Sequence, residues 1–98
     1  MAGTRATMGR VAALETLETP ALILDRARLV ANCERMRAHL ARFGVTLRPH
    51  VKTAKSSEVA RLMLGGGTGP VTVSTLKEAE SFLAHGFDDV LYAVGLAP

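Results

Sequence analysis

The spacing of apolar residues changes several times along the chain and predicts helices that alternate with short strands. In the first predicted helix, apolar residues recur at steps of four, three, four and three, which makes one helical stripe of Leu29, Cys33, Met36, Leu40 and Phe43. Asp25 is the expected N-cap, and Gly44 is placed to end the helix in a left-handed cap. Most charged residues fall off the stripe, and we expect them in solvent: Arg26, Arg28, Glu34, Arg35, Arg37 and Arg42.

Two further helices are predicted downstream. Ser56 or Ser57 can cap the second. Its apolar side consists of Val59, Leu62 and Met63. Thr75 and Glu78 have the spacing of a capping box, in which each side chain binds the other residue's free amide at the start of the third helix. The expected buried face of that helix consists of Leu76, Ala79, Phe82 and Leu83.

Short apolar runs predict the strands. They are 22–24, 71–74 and 90–94. Their alternation with helices is typical of an α/β fold with a parallel sheet. The glycine cluster 65–69 follows a helix and precedes a strand, which is the reverse of a phosphate-binding loop, so we interpret it as a connection.

The segment 45–53 carries the candidate chemistry. If it is a strand, one face presents the polar residues Thr46, Arg48, His50 and Lys52, and the other presents Val45, Leu47 and Val51. The C-terminal ends of strands are where α/β barrels place their active sites, and a lysine amine there can form a Schiff base with an aldehyde. From the pattern alone, the alternative is a solvated lysine at a strand end.

The neighbours of Lys52 allow more than one interpretation. His50 should face the same side as Lys52, where it could tune the lysine or contact a cofactor; otherwise it is a buried polar residue with a nearby partner. Arg48, deeper in the segment, is expected to form an internal ion pair or hydrogen bond. Pro49 cannot donate to a sheet ladder, so the strand is either kinked there or faces no partner at that point.

Composition and charge exclude several functions. The chain has 98 residues and a formal charge of +3, and its four aromatic residues are not interleaved with Lys or Arg, which argues against nucleic-acid binding. The single cysteine, Cys33, excludes an internal disulfide and is expected to be a small core residue. No apolar run approaches the roughly 20 residues of a membrane span. We expect a cytoplasmic protein in which residues 1–16 form a flexible leader.

Four segments together resemble a known enzyme family. They are TPALILD (19–25), RPHVKTAKS (48–56), VTVSTLKEAE (71–80) and LYAVGLAP (91–98). In this order they resemble the N-terminal region of pyridoxal-phosphate enzymes with the alanine-racemase-like barrel, in particular the D-threonine aldolase and D-serine dehydratase group, with the aldolase branch the nearer. The resemblance covers 17–98 and identifies Lys52, not Lys55, as the lysine that carries the cofactor.

The resemblance implies an architecture larger than this chain. Such a barrel of eight βα units takes about 250 residues, so we expect 17–98 to be the N-terminal part of a (β/α)8 TIM barrel with its first three parallel strands, truncated from a larger enzyme. It also favours a local bulge at Pro49. We expect the isolated chain to lack lyase activity.

The resemblance also implies a function. The full-length relative would use pyridoxal 5'-phosphate on Lys52, with His50 as a second cofactor-binding residue, to cleave a D-3-hydroxy amino acid into glycine and an aldehyde. The alternatives are a D-serine or 3-hydroxyaspartate dehydratase, a non-catalytic pyridoxal-phosphate-binding protein and an inactive truncated product. The relatives use a divalent metal whose ligands lie in the C-terminal portion, so no metal is assigned to this chain. The partners implied are a small D-amino acid substrate and, in the full-length enzyme, a second copy in a homodimer.

Overall fold

Three helices and two short strands follow one another in a computed structural model that describes residues 14–98. In chain order they are α1 (Arg26–Ala41), α2 (Ser57–Met63), β1 (Val71–Val73), α3 (Leu76–Ala84) and β2 (Val90–Tyr92). A 3-10 turn at Leu14–Thr16 precedes them, and the rest of the expected leader lies outside the described residues. The predicted α/β class and all three predicted helices are confirmed.

The helices begin where the sequence predicts that they do. Each N-cap side chain accepts a hydrogen bond from the backbone nitrogen three residues later: Asp25 from Arg28 at 3.1 Å, Ser56 from Val59 at 3.3 Å, and Thr75 from Glu78 at 3.0 Å. Gly44 adopts a φ of 63°, the left-handed conformation expected after the first helix. The capping predictions are therefore confirmed, with Ser56 chosen over Ser57.

The sheet has two parallel strands and one further segment beside them. Val71 pairs with Val90, and Val73 pairs with Tyr92. On the other side of β1, Thr72 donates to the carbonyl of Pro49 and accepts from the nitrogen of Val51, both at 2.9 Å. This is a single parallel bridge, not a ladder.

The prediction of a regular strand over 45–53 is therefore wrong in extent. Residues 45–49 have no regular secondary structure, and the pairing is confined to the bridge at His50. Pro49 has no N–H to donate, so only its carbonyl takes part. The bulge expected there does not form, because there is no ladder to interrupt.

The strand predicted at 22–24 is also wrong. Residues 21–25 have no regular structure, and the side chains of Leu22, Ile23 and Leu24 are exposed. A strand needs a neighbour to satisfy its backbone and an apolar surface to cover its side chains. Within residues 14–98, this run pairs with no other segment.

The core lies between the sheet, α2 and α3. Its buried residues are Val51, Ala60, Val71, Val73, Phe82 and Phe87. The rings of Phe82 and Phe87 meet edge to face with centroids 5.0 Å apart. Leu76 and Leu83, predicted to be buried, are exposed, because α3 turns only its Ala79 and Phe82 side towards the sheet.

Helix α1 contributes nothing to that core. None of its residues is buried, and of the predicted stripe Met36 and Phe43 are exposed. Arg37, predicted to be in solvent, is instead partly buried and donates to the carbonyls of Leu62 and Met63 at 3.1 and 3.0 Å. That prediction was wrong because a guanidinium can satisfy the unpaired carbonyls at the end of α2.

Candidate functional site

The candidate lysine lies at one edge of the sheet, where three parallel segments end. The bridge at His50 is parallel to β1, and β1 is parallel to β2, so Lys52, Ser74 and Ala93 follow the C-terminal ends of neighbouring segments. Parallel strands place the functional groups that follow them at this edge. The sequence placed Lys52 at the C-terminal end of a parallel segment, and the described residues form that edge of the sheet.

The backbone next to Lys52 is held firmly. Val51 is fully buried, its nitrogen donates to the carbonyl of Thr72, and its carbonyl accepts from the nitrogen of Lys55 at 2.9 Å. Lys52 then opens the turn 52–54. The root of the lysine side chain is consequently attached to the buried core by one residue.

The side chain of Lys52 is exposed. The ion pairs found among residues 14–98, Arg28–Asp25 and Arg48–Asp89, do not involve it. Two surface depressions lie elsewhere, one on α1 and one near Gly69, and neither is lined by Lys52. The amine of Lys52 is therefore exposed and without an ion pair among the described residues, and neither of these two depressions adjoins it.

His50 contacts the lysine through the backbone. Its Nδ1 lies 3.2 Å from the backbone nitrogen of Lys52, and its side chain is half-buried. The sequence predicted that His50 and Lys52 share a side of the segment but not that the ring binds the amide of the lysine. The spacing of two residues was the available signal, since short polar side chains often bind the amide two positions ahead.

Arg48 belongs to the opposite edge. Its guanidinium donates to the carbonyl of Val71 at 2.9 Å and to the carboxylate of Asp89 at 2.7 Å. These partners lie where β1 and β2 begin, so Arg48 ties the lysine segment to the N-terminal edge of the sheet. The predicted hydrogen bond of Arg48 is confirmed and is partly buried, whereas its ion pair with Asp89 lies at the surface and is not internal.

The third group at the lysine edge is the start of α3. The carboxylate of Glu78 accepts from the nitrogen of Ser74 at 3.3 Å and from its hydroxyl at 3.2 Å. The predicted capping box is thus correct for Thr75, which binds the Glu78 amide, but wrong for Glu78, which binds Ser74 instead. The carboxylate reaches one residue further back and fixes the end of β1 as well as the helix.

Two further findings bear on what the chain can bind. In the described part of the chain, no three His, Cys, Asp or Glu side chains come together as a metal site. No helix among residues 14–98 has the length and apolar character needed to cross a membrane.

Comparison with known proteins gives matches over most of the chain. Residues 24–98 match the family model described as alanine racemase, N-terminal domain. D-threo-3-hydroxyaspartate dehydratase from Delftia sp. is 52% identical over 85 residues, D-serine dehydratase from Schizosaccharomyces pombe is 40% identical over 89, and D-threonine aldolase from Arthrobacter sp. is 38% identical over 77. These alignments cover 87%, 86% and 79% of this chain and 22%, 21% and 20% of the relatives.

Solved structures agree. The Delftia dehydratase superposes with a TM-score of 0.78 over 85% of this chain and 22% of its own. An alanine-racemase-like protein from Idiomarina loihiensis, 42% identical, gives a TM-score of 0.77 with the same shares. The chain therefore spans about a fifth of the length of the proteins it matches, and its described fold is that of their corresponding part.

Proposed function

The chain belongs to the alanine-racemase-like family that includes D-threonine aldolases, D-serine dehydratases and 3-hydroxyaspartate dehydratases, and on this premise we propose that it supplies the cofactor lysine of a pyridoxal-phosphate-dependent lyase. The substrates are small D-amino acids with a 3-hydroxyl group. Residues 17–98 form the first part of a (β/α)8 barrel, and the full-length enzyme is a homodimer.

One observation carries this proposal: Lys52 offers an amine without an ion-pair partner among the described residues, on a fixed backbone, at the C-terminal edge of the sheet. No carboxylate among the described residues competes for this amine, so it could be reached by an aldehyde group. Lys55 suits the role less, because it follows the turn 52–54 and lies further along the chain from the buried Val51, and because the resemblance selects Lys52.

The chemistry divides between the cofactor and the chain. When bound, pyridoxal phosphate supplies an electron sink for bonds broken at the substrate Cα. Lys52 would hold it, the buried Val51 keeps the backbone at the point of attachment in place, and the Nζ of Lys52 would be the group that moves a proton at the substrate Cα. Groups for the phosphate and for a divalent metal come from outside this chain.

The reaction is either aldol cleavage or loss of water. The segments VTVSTLKEAE and LYAVGLAP favour the aldolase branch. The identity of 52% to a dehydratase, against 38% to an aldolase, favours dehydration. The two reactions break different bonds, Cα–Cβ in the first and Cβ–O in the second, and their products distinguish them: glycine and an aldehyde, or ammonia and a keto acid.

The attachment residue can be tested in the full-length protein. Reduction with borohydride in the presence of pyridoxal phosphate should label the peptide that contains Lys52. Lys52→Arg should abolish the label and lower turnover by at least about 100-fold, since the proton-transfer group is lost together with the attachment amine. Lys55→Arg is the matched control and should keep both, whereas a label on Lys55 would show that the assignment is wrong.

The product assay then separates the two branches. The unmodified full-length protein is incubated with D-threonine, D-serine and D-threo-3-hydroxyaspartate, and both product pairs are measured. Aldehyde and glycine in equal amounts identify an aldolase, and ammonia and keto acid in equal amounts identify a dehydratase. Labelling of Lys52 with neither product would identify the non-catalytic binding protein.

A further inference from the structure

The ring of His50 touches the backbone of the residue that bears the candidate amine. Its Nδ1 lies 3.2 Å from the Lys52 nitrogen. A backbone N–H can only donate, so Nδ1 is the acceptor in this contact, and the contact requires the tautomer that carries its proton on Nε2.

The contact completes a chain of backbone restraints around Lys52. The nitrogen and the carbonyl of Val51 are both bonded, to Thr72 and Lys55. The next backbone donor is the N–H of Lys52, and within residues 14–98 His50 is its hydrogen-bond partner. Because His50 is itself bridged to β1, the ring connects the turn to the sheet.

Such a restraint matters for a lysine in particular. Its side chain has four rotatable bonds and is exposed, so the described residues direct the amine through the Cα–Cβ bond from which the side chain departs. Orientation of a reacting group changes rates strongly, even when the groups that provide it do not react.

We propose that His50 is a positioning residue for Lys52: its Nδ1 holds the Lys52 amide and thereby fixes the direction in which the lysine side chain leaves the turn. The role in the reaction rests on the proposed function, because it requires Lys52 to be the attachment lysine. The hydrogen bond from the Lys52 amide to His50 does not depend on that function.

Three variants of the full-length protein separate the two ring nitrogens. His50→Asn places an amide oxygen near the position of Nδ1, His50→Gln places its amide near the position of Nε2, and His50→Ala removes both. The readouts are hydrogen exchange of the Lys52 amide without cofactor, the absorbance of the lysine-bound cofactor, and kcat and KM measured separately.

With Ala and with Gln, we expect the Lys52 amide to exchange roughly fivefold faster, the factor that corresponds to one ordinary hydrogen bond. The same two variants should show a shifted absorbance of the bound cofactor and a lower kcat with little change in KM. Asn should restore all three properties.

Two results would overturn the proposal. Unchanged exchange in His50→Ala would mean that the contact restrains nothing, and rescue by Gln but not by Asn would mean that His50 acts through Nε2 on the bound molecule. Failure of the proposed function looks different: borohydride would leave Lys52 unlabelled in the unmodified protein, while the exchange pattern of the variants would stay as expected.

Discussion

The two halves of the described chain differ in how they are held. From Pro49 to Tyr92, three parallel segments and two helices enclose a core in which Val51, Val71 and Val73 are fully buried. From Leu14 to Phe43, no residue is buried, although that half contains the longest helix. The length of α1 and its apolar stripe are therefore not sufficient to form a core.

The difference shows that an apolar pattern is buried only where other elements cover it. Helix α1 packs against α2, but none of its residues is buried, and Met36 and Phe43 of the stripe are exposed. The candidate lysine belongs to the better-held half, one residue from Val51. Its backbone is therefore placed by the core and does not depend on α1.

The largest expected difference in the free energy of unfolding comes from removing one aromatic ring from each half. Phe87 is 1% exposed and Phe43 is 67% exposed. Phe87→Ala should cost about 3–5 kcal/mol, enough to abolish cooperative unfolding of a marginal domain, whereas Phe43→Ala should cost less than about 0.5 kcal/mol. Urea unfolding of the 98-residue chain measures both, and equal losses would contradict a core confined to the second half.

The connection between the halves should show the next largest effect. Arg37 reaches from α1 to two carbonyls at the end of α2. Arg37→Ala should lower the free energy of unfolding by about 1–2 kcal/mol, less than for fully buried charged hydrogen bonds because the site is partly exposed. Arg35→Ala is the matched control, because among residues 14–98 Arg35 bonds only Asn32 of its own helix. Similar losses from the two variants would show that the link carries no stability.

The smallest expected effect is a gain within the better-held half. Lys55 has a φ of 51°, a left-handed conformation that costs a side-chain-bearing residue roughly 1–2 kcal/mol. Lys55→Gly should therefore stabilise the chain by about 0.5 kcal/mol, since the greater freedom of glycine in the unfolded chain offsets part of the relief. Lys77→Gly, in the first turn of α3, should instead destabilise by up to about 1 kcal/mol. The midpoint of urea unfolding reports both signs, and a loss with Lys55→Gly would refute the strain.

Local signals predicted the helices well. Asp25, Ser56 and Thr75 cap the helices that the sequence assigned to them, because a capping bond joins residues three positions apart and needs no distant partner. Strands behave differently. Val71–Val73 forms a strand because it has neighbours on both sides, while the more apolar run 22–24 has none among the described residues.

The candidate site was predictable in its residues but not in its contacts. The alternation of the lysine segment placed His50 and Lys52 together, and the resemblance selected Lys52. The bond from the Lys52 amide to His50 and the reach of Glu78 to Ser74 depend on turn geometry that periodicity does not encode. Arg37 was misplaced for a related reason, since its partners are carbonyls more than twenty residues away.

The bond between Glu78 and Ser74 has a consequence for charged ligands. The N-terminal end of a helix ordinarily attracts anions, because its free amides carry partial positive charge. At α3 the carboxylate of the protein's own Glu78 already neutralises that end. A phosphate group that approaches the N-terminal end of α3 therefore meets a like charge, and the free amides there do not by themselves make an anion site.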